Sequence, residues 1–227
     1  MTTIADRLGK VRERISAACG SAGRSVDDVL LLAVSKTCGP DAVRQAHAAG
    51  QRAFGENYVQ EGIEKIAALH DLPLQWHCIG PIQSNKTRLV AEHFDWVHTI
   101  DRLKIAERLS SQRPEGMAPL QVCVQVNVDG GAAKSGVAPG EALELARAVA
   151  ALPRLRLRGI MSIPEPAPDF ESARALHRQV REVFEQLRGA GLPLDTLSTG
   201  MSADLEAAIA AGSTMVRVGT AIFGARG

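Results

Sequence analysis

The chain alternates between short, continuous apolar runs and longer segments whose apolar residues recur at helical spacing. The short runs predict eight β-strands, at 29–35, 52–55, 75–79, 95–99, 120–128, 157–163, 195–198 and 214–218. The longer segments predict helices at 40–49, 57–69, 84–93, 101–111, 139–151, 169–189 and 202–211. Because strands that are apolar at successive positions are typical of parallel sheets covered on both faces, the pattern indicates an α/β protein.

Eight consecutive β/α units predict a closed (β/α)8 TIM barrel that spans residues 1–227 as a single domain. An extra N-terminal helix precedes the first strand, since Ile4, Leu8, Val11 and Ile15 share one helical face. A doubly wound open sheet is the alternative architecture. It is disfavoured because no G-x-G-x-x-G fingerprint follows the first strand.

Composition narrows the range of partners. The 227 residues include 26 Lys and Arg against 25 Asp and Glu, so the chain lacks the basic surplus typical of proteins that bind nucleic acids or anionic membranes. No apolar stretch approaches the roughly 20 residues needed to cross a bilayer. The four cysteines show no C-x-x-C spacing and the histidines no metal-ligand spacing, which favours reduced thiols in the cytoplasm and no metal site.

A lysine, Lys36, directly follows the first apolar run, VLLLAVS. In a (β/α)8 barrel the functional residues follow the strands at their carboxyl ends, so Lys36 is expected on the functional rim. A partly desolvated amine at that position is a nucleophile toward carbonyl groups. The alternative is a lysine that merely reaches from the strand end into water, and the strand alone does not separate the two.

Two later segments, STGMSADLEAAIAAG and RVGTAIFG, carry hydroxyl groups and glycines where the last two strands end. In the first, Ser198, Thr199 and Ser202 lie near the start of a helix that Ser202 is expected to cap, and helix N-termini favour anions. In the second, Gly219 and Thr220 let the backbone approach a ligand closely. Because the last two loops of this barrel class commonly bind phosphate, the pair favours a phosphate site over ordinary loops.

A phosphate site on the same rim changes the interpretation of Lys36. A Schiff base between its amine and a phosphorylated aldehyde then becomes the favoured hypothesis. Arg217 lies on the strand that leads to the second glycine segment. It is either a salt-bridge partner inside the barrel or a cation that faces the ring of the ligand.

Several segments together resemble one protein family. AVSKT, FGENYVQE, WHCIGPIQSNK, HTIDRLKIA, GIMSIP and LSTGMSADLEAAIAAGSTMVRVGTAIFGAR are similar to motifs of the pyridoxal phosphate homeostasis proteins. The resemblance extends from residue 29 to the end of the chain, and the combination of motifs makes it specific. It implies a barrel of PLP fold type III, like the N-terminal domain of alanine racemase.

The resemblance also implies that pyridoxal 5'-phosphate (PLP) is held as a Schiff base on Lys36. The matching motifs extend the predicted cofactor site to Asn57 beside the cofactor, Met161 against its ring, Arg217 at the pyridine nitrogen, and Ser202, Gly219 and Thr220 at the phosphate. A permanent guanidinium at the pyridine nitrogen would keep that nitrogen unprotonated. The ring would then be a weaker electron sink than one paired with a carboxylate.

Two further positions bear on the resemblance to this family, and the first of them differs from it. Cys38 stands where many members of the family have a second lysine after the SKT motif, so the resemblance assigns Lys36 no basic neighbour here. Lys134 does match a lysine of the family. It is either a solvent-exposed loop residue, which is the favoured interpretation, or a second acceptor for the aldehyde.

The favoured function is a non-catalytic protein that binds and buffers PLP and delivers it to apo-enzymes that depend on it. A PLP-dependent racemase is the alternative, but a two-base racemase needs a proton-transfer group on each face of the cofactor. The alanine racemases take one of these from a tyrosine of a second domain, whereas this chain ends at Gly227, which also favours a monomer. Tyr58 is interpreted as a packing residue in preference to a relocated base at the rim, and His77 and His98 as either acid–base groups or structural histidines. An aldolase-type lyase would explain Lys36 and a phosphate site but not the full set of motifs.

Overall fold

Eight parallel strands form a closed barrel in the computed structural model, which describes residues 2–130 and 135–224. Each strand pairs with its neighbours in chain order, and the first pairs with the last. The strands are β1 Leu30–Val34, β2 Ala53–Glu56, β3 Gln75–Cys78, β4 Trp96–Ile100, β5 Leu120–Gln125, β6 Leu155–Met161, β7 Thr196–Met201 and β8 Met215–Val218. The predicted (β/α)8 barrel is therefore confirmed.

Helices cover the outside of the barrel and connect successive strands. They are α1 Ile4–Ser21, α2 Pro40–Ala48, α3 Val59–Ala68, α4 Thr87–His93, α5 Leu103–Gln112, α6 Ala142–Ala150, α7 Phe170–Gly189, α8 Leu205–Ala210 and α9 Thr220–Phe223, with 3-10 turns at Val26–Asp28, Ser84–Lys86 and Pro139–Glu141. The short helix α9 was not predicted from the sequence. Among the residues described, no helix has the length and apolar composition of a membrane span.

The seventh β/α unit differs from the prediction in a way that matters for the site. β7 continues to Met201, three residues beyond its predicted end, and α8 starts only at Leu205. The N-cap of α8 is Asp204, so the prediction that Ser202 caps this helix is wrong. Ser202 lies instead in the turn between the strand and the helix.

The barrel interior is partly apolar and partly polar. A small cluster of inward-facing apolar side chains, separate from the main core between sheet and helices, contains Leu32, Ala53, Trp96, Cys123, Met161 and Met215. Buried polar side chains, including His77, His98, Ser198 and Arg217, occupy other inward positions. Such groups are tolerated in an interior only when they are hydrogen-bonded, and their bonds define the floor of the site.

The extra helix α1 packs against the last β/α unit and α8. Thr3 and Asp6 form a capping box at its start, and Leu8, Val11 and Ile15 are buried along one face, as the helical spacing predicted. Arg14 connects this helix to the β7–α8 turn: its Nε donates to Glu206 Oε1 at 2.7 Å and its Nη2 to the Ser202 carbonyl at 3.0 Å. The N-terminal helix therefore supports a loop on the functional rim.

Candidate functional site

A pocket of about 290 Å³ opens at the carboxyl ends of the strands. It gathers residues that follow or end strands β1, β2, β3, β6, β7 and β8. The lining residues are Val34, Lys36, Asn57, Ile79, Ile163, Met201, Ser202, Ala203, Arg217, Gly219 and Thr220. This is the rim on which (β/α)8 barrels carry their functional groups.

Six of the seven residues predicted to bind a cofactor line this pocket, and Met161 does not. Met161 is fully buried in the apolar cluster inside the barrel. Ile79 packs against that cluster and also lines the pocket, so the cluster that contains Met161 adjoins the pocket. The side chain that follows at the same strand end and lines the pocket is Ile163.

Lys36 lies at the corner of a tight turn that ends β1. The Cys38 N–H donates to the Ser35 carbonyl at 3.0 Å, which makes Lys36 the second residue of a four-residue turn. The third residue, Thr37, has φ 64°, a left-handed conformation that costs a residue other than glycine about 1–2 kcal/mol. The half-buried Lys36 side chain enters the pocket from this corner.

Arg217 forms the charged floor of the pocket. Its guanidinium is buried and donates to the Ser198 carbonyl at 2.8 Å, to Ser198 Oγ at 2.7 Å and to the Ser162 carbonyl at 2.9 Å. Burial lowers the pKa of Arg217 to about 10, so the side chain is a cation at neutral pH. Of the two interpretations from the sequence, the salt-bridge partner is not supported, because these three acceptors are uncharged.

A chain of hydrogen bonds runs from Arg217 through the barrel interior. Ser198 Oγ lies 3.0 Å from His98 Nδ1, His98 Nε2 lies 2.9 Å from His77 Nδ1, and His77 Nε2 lies 2.9 Å from Gln75 Oε1. The Gln75 amide oxygen can only accept, which sets the direction of the whole chain, and the Arg217 donor at the other end is compatible with that direction. Ser198 donates to His98, His98 to His77 and His77 to Gln75, and both histidines are neutral Nε2–H tautomers.

The two histidines are structural groups of the barrel interior. Burial lowers the pKa of His77 to about 3, and burial together with the positive charge of Arg217 holds the pKa of His98 well below its ordinary value. Neither histidine lines the pocket. This supports the structural interpretation over the acid–base one. Tyr58 is 60% exposed, so its interpretation as a packing residue is wrong.

The β7–α8 segment contributes fewer hydroxyls to the pocket than the sequence indicated. Ser198 and Thr199 are buried within β7, where Thr199 Oγ1 lies 2.8 Å from His177 Nδ1. His177 Nε2 in turn lies 2.9 Å from Asp204 Oδ2. Burial alone would raise the pKa of Asp204, but hydrogen bonds from His177 and the Met201 N–H outweigh it and hold the pKa below its ordinary value. Ser202 is the one hydroxyl of this predicted group that lines the pocket.

Ser202, Gly219 and Thr220 form one wall of the pocket, and we call this wall the hydroxyl–glycine cradle. A Cβ at Gly219 would lie 3.1 Å from the Val34 carbonyl oxygen, so a side chain there would crowd the end of β1. Thr220 starts α9, and the first N–H groups of a helix have no partner within the helix. Hydroxyl groups and such N–H groups suit a phosphate, and the phosphate site stays a prediction.

A second pocket of about 210 Å³ adjoins the first and shares Asn57, Ile79 and Ile163 with it. Its other lining residues include Gln125 and Asn127, which add uncharged amide groups to a mainly apolar lining. Lys134, predicted as a loop residue or second aldehyde acceptor, lies outside the described residues. Within the described part of the chain, no group of three or more His, Cys, Asp or Glu side chains is arranged to hold a metal ion.

The apolar part of the lining was not singled out from the sequence. Val34, Ile79, Ile163, Met201 and Ala203 contribute most of it. Val34, Ile79 and Ile163 lie at or next to the end of a predicted strand, whereas Met201 lies between the predicted seventh strand and helix and Ala203 lies within that predicted helix. A polar residue at the end of a strand differs from the apolar residues before it, whereas an apolar residue there cannot be distinguished in the sequence from the buried part of the strand.

A family model described as alanine racemase, N-terminal domain, matches residues 7–227 of the chain. Two curated relatives carry the name pyridoxal phosphate homeostasis protein. The one from Pseudomonas aeruginosa is 60% identical over 226 residues, covering 100% of this chain and 97% of the relative. The one from Escherichia coli is 56% identical over 229 residues, covering 100% of this chain and 98% of the relative.

Solved structures show the same fold. PipY of Synechococcus elongatus, with PLP bound, matches with a TM-score of 0.86 at 39% identity, covering 98% of this chain and 100% of PipY. An alanine racemase of Clostridium difficile matches with a TM-score of 0.77 at 16% identity, covering 97% of this chain and 57% of the racemase. At that low identity the second match is a likeness of fold alone.

Acidification should reveal the cost of holding two neutral histidines in the barrel. Below about pH 6.5 the histidines of the unfolded chain take up protons, while His77 and His98 in the folded protein do not. The free energy of unfolding should therefore fall with decreasing pH, by up to about 1.4 kcal/mol per pH unit for each histidine. In urea unfolding between pH 6.5 and 5, His98→Gln should reduce this slope. His70→Gln, on an exposed residue, should keep the wild-type slope; equal slopes for all three proteins would contradict the argument.

Proposed function

Because the chain belongs to the alanine racemase N-terminal domain family, with full-length relatives named pyridoxal phosphate homeostasis proteins, we propose that it binds PLP and buffers its supply. The observation that carries the proposal is the joint placement of Lys36, Arg217 and the hydroxyl–glycine cradle around one pocket of about 290 Å³. PipY, a relative of the same fold, has been solved with PLP bound, which supports a PLP ligand here.

The residues of the pocket fit the three reactive parts of PLP. When bound, PLP supplies an aldehyde that reacts with amines and a pyridine ring that withdraws electrons. Lys36 provides the amine, and the cradle provides hydroxyl and N–H donors for the phosphate. The Arg217 guanidinium is a donor fixed by three hydrogen bonds, and it suits the ring nitrogen of the ligand.

Each predicted site residue then has a role in the proposal. Lys36 holds the cofactor covalently, and Asn57 lies beside it at the junction of the two pockets. Ser202, Gly219 and Thr220 hold the phosphate. Arg217 stays protonated at neutral pH and donates to the ring nitrogen, which keeps that nitrogen free of a proton. Met161 belongs to the apolar cluster against which the pocket residue Ile79 packs.

The same pocket favours storage of the cofactor over catalysis with it. Lys36 and Arg217 are the titratable side chains among the described residues that line the pocket. A racemase needs a proton acceptor on each face of the cofactor, and a permanently charged guanidinium does not accept protons. The curated relatives are also named for homeostasis. A non-catalytic role in PLP homeostasis is therefore the function that the site supports best.

The proposal also covers the recipients of the cofactor, the oligomeric state, the domain organisation and the location of the protein. The recipients of the stored cofactor are apo-enzymes that depend on PLP. The protein acts as a monomer, and residues 1–227 form one domain. It resides in the cytoplasm, which is supported by its four cysteines, since all four lie within the described residues and none is in a disulfide. Sedimentation velocity of the purified protein would test the monomer, and transfer of PLP to an apo-enzyme would test delivery.

Replacing Lys36 tests the covalent attachment. Purified wild-type protein loaded with PLP should be yellow, and Lys36→Ala should lose the visible absorbance while its circular dichroism spectrum stays that of the wild type. Lys10→Ala, on the exposed face of α1, should keep both signals. A wild-type protein that stays colourless with PLP, or a K36A protein that keeps the visible band, would contradict the proposal.

Replacing Gly219 tests the phosphate cradle. In Gly219→Val the branched side chain would crowd Val34 and fill part of the cradle. We expect the affinity for PLP to fall about tenfold or more, the effect of losing a charge-assisted hydrogen bond, and that for unphosphorylated pyridoxal to change little. Gly116→Val, at a position with open space around it, is the control. Equal losses for the two ligands in G219V would argue against a phosphate role.

Proton exchange separates the carrier from the racemase. With PLP bound, the protein should exchange the α-proton of an amino acid in heavy water no faster than free PLP does, because a second proton acceptor is missing among the described pocket residues. Proton NMR of alanine over time measures this. Exchange far above that of free PLP, abolished by Lys36→Ala, would establish the enzyme instead.

A further inference from the structure

A buried network of charged side chains lies directly behind the turn that carries Lys36. Its centre is Lys65 of α3, which is 3% exposed. The Lys65 ammonium donates to Glu56 Oε1 at 2.8 Å, to Glu61 Oε1 at 2.6 Å and to the Ser35 carbonyl at 2.7 Å. An ammonium has three N–H donors, so each of them has an acceptor here.

Stability alone does not explain this network. Placing charges in an interior is costly, and a buried ion pair is often no more stabilising than apolar residues of the same volume. Glu56 is 1% exposed, and its second oxygen, Oε2, has no hydrogen-bond partner among the described residues. Burial raises the pKa of Glu56, against the effect of its hydrogen bonds from Lys65 and Ser35. A purely apolar contact between β2 and α3 would avoid these costs.

The network reaches the backbone on both sides of Lys36. On one side, Lys65 holds the Ser35 carbonyl, and the Ser35 hydroxyl donates to Glu56 Oε1 at 2.5 Å. On the other side, Glu61 Oε1 accepts the Thr37 N–H at 2.5 Å. The residues before and after Lys36 are thus both fixed by side chains of the next β/α unit.

These contacts stabilise the unfavourable backbone conformation of the turn. The turn needs a positive φ at Thr37, where glycine or asparagine would be the usual choice. Threonine adopts that conformation only where its surroundings impose it. The N–H that the turn points outward is held by Glu61, and the carbonyl that closes the turn is held by Lys65.

We propose that Glu56, Glu61 and Lys65 are positioning residues for Lys36: they impose the turn that directs its amine into the pocket. The proposal rests on the proposed function, in which Lys36 reacts with the aldehyde of PLP. None of the three lines the pocket, so their effect on the amine is transmitted through the backbone of Ser35 and Thr37.

The primary experiment compares two glutamates of the same helix. Glu61→Ala removes the acceptor of the Thr37 N–H, whereas Glu64→Ala changes an exposed carboxylate one turn away. We expect E61A to capture PLP about tenfold more slowly than the wild type in stopped-flow absorbance, the effect of one lost hydrogen bond to a charged group. E64A should match the wild type, and Glu61→Gln, which keeps an acceptor oxygen, should recover part of the rate.

A ligand without an aldehyde separates positioning of the amine from integrity of the pocket. Pyridoxine 5'-phosphate has the ring and the phosphate of PLP but no carbonyl group. Its affinity should be the same for the wild type, E61A and E61Q. Capture of PLP at the wild-type rate by E61A, or an equal loss of both ligands, would overturn the positioning role.

Amide hydrogen exchange tests the turn without any ligand. The Thr37 amide should exchange at least about tenfold faster in E61A and in Lys65→Met than in E64A, since its acceptor is lost or displaced. An unchanged exchange rate would overturn the proposal. If Lys65→Met does not fold, E61A still decides, because Glu61 lies at the partly exposed edge of the network. A wild-type protein that binds neither ligand would refute the proposed function, while the exchange rates would still report on the turn.

Discussion

The pairing of the first strand with the last is the constraint on which the pocket depends. β1 and β8 are in register from Leu30 opposite Met215 to Ala33 opposite Val218. This closure brings Lys36, from near the start of the chain, to the same cavity as Arg217 and Gly219 from its end. Since parallel strands in a closed barrel all end at one rim, groups distant in sequence share a site without any long loop to carry them.

Two polar networks stand behind the two charged residues of that cavity. Arg217 is held by backbone carbonyls and by the hydroxyl of Ser198, and the turn of Lys36 is held by side chains of β2 and α3. Both networks are centred on a buried cation that donates three hydrogen bonds, which makes them rigid as well as costly. The positions of Lys36 and Arg217 are therefore set before a ligand binds.

The architecture and most of the pocket could be predicted from the sequence, because apolar periodicity marks strands and a barrel sends their ends to one rim. The orientation of individual hydroxyls could not. Ser198 and Thr199 were expected at the rim, but β7 continues past them to Met201, and Asp204 replaces Ser202 as the cap of α8. The role of Lys65 was also hidden, since an amphipathic helix normally turns its lysines to water and only tertiary packing reveals that this one is buried.

The direction of the interior hydrogen bonds has a consequence for the far side of the barrel. Gln75 lies exposed at the amino end of β3, on the face opposite the pocket, yet it terminates the chain that begins at Arg217. Every O–H and N–H in that chain donates toward Gln75, so the bonds polarise one another in a single direction. A continuous hydrogen-bonded path therefore joins the floor of the pocket to the opposite face of the barrel, the face usually reserved for stability.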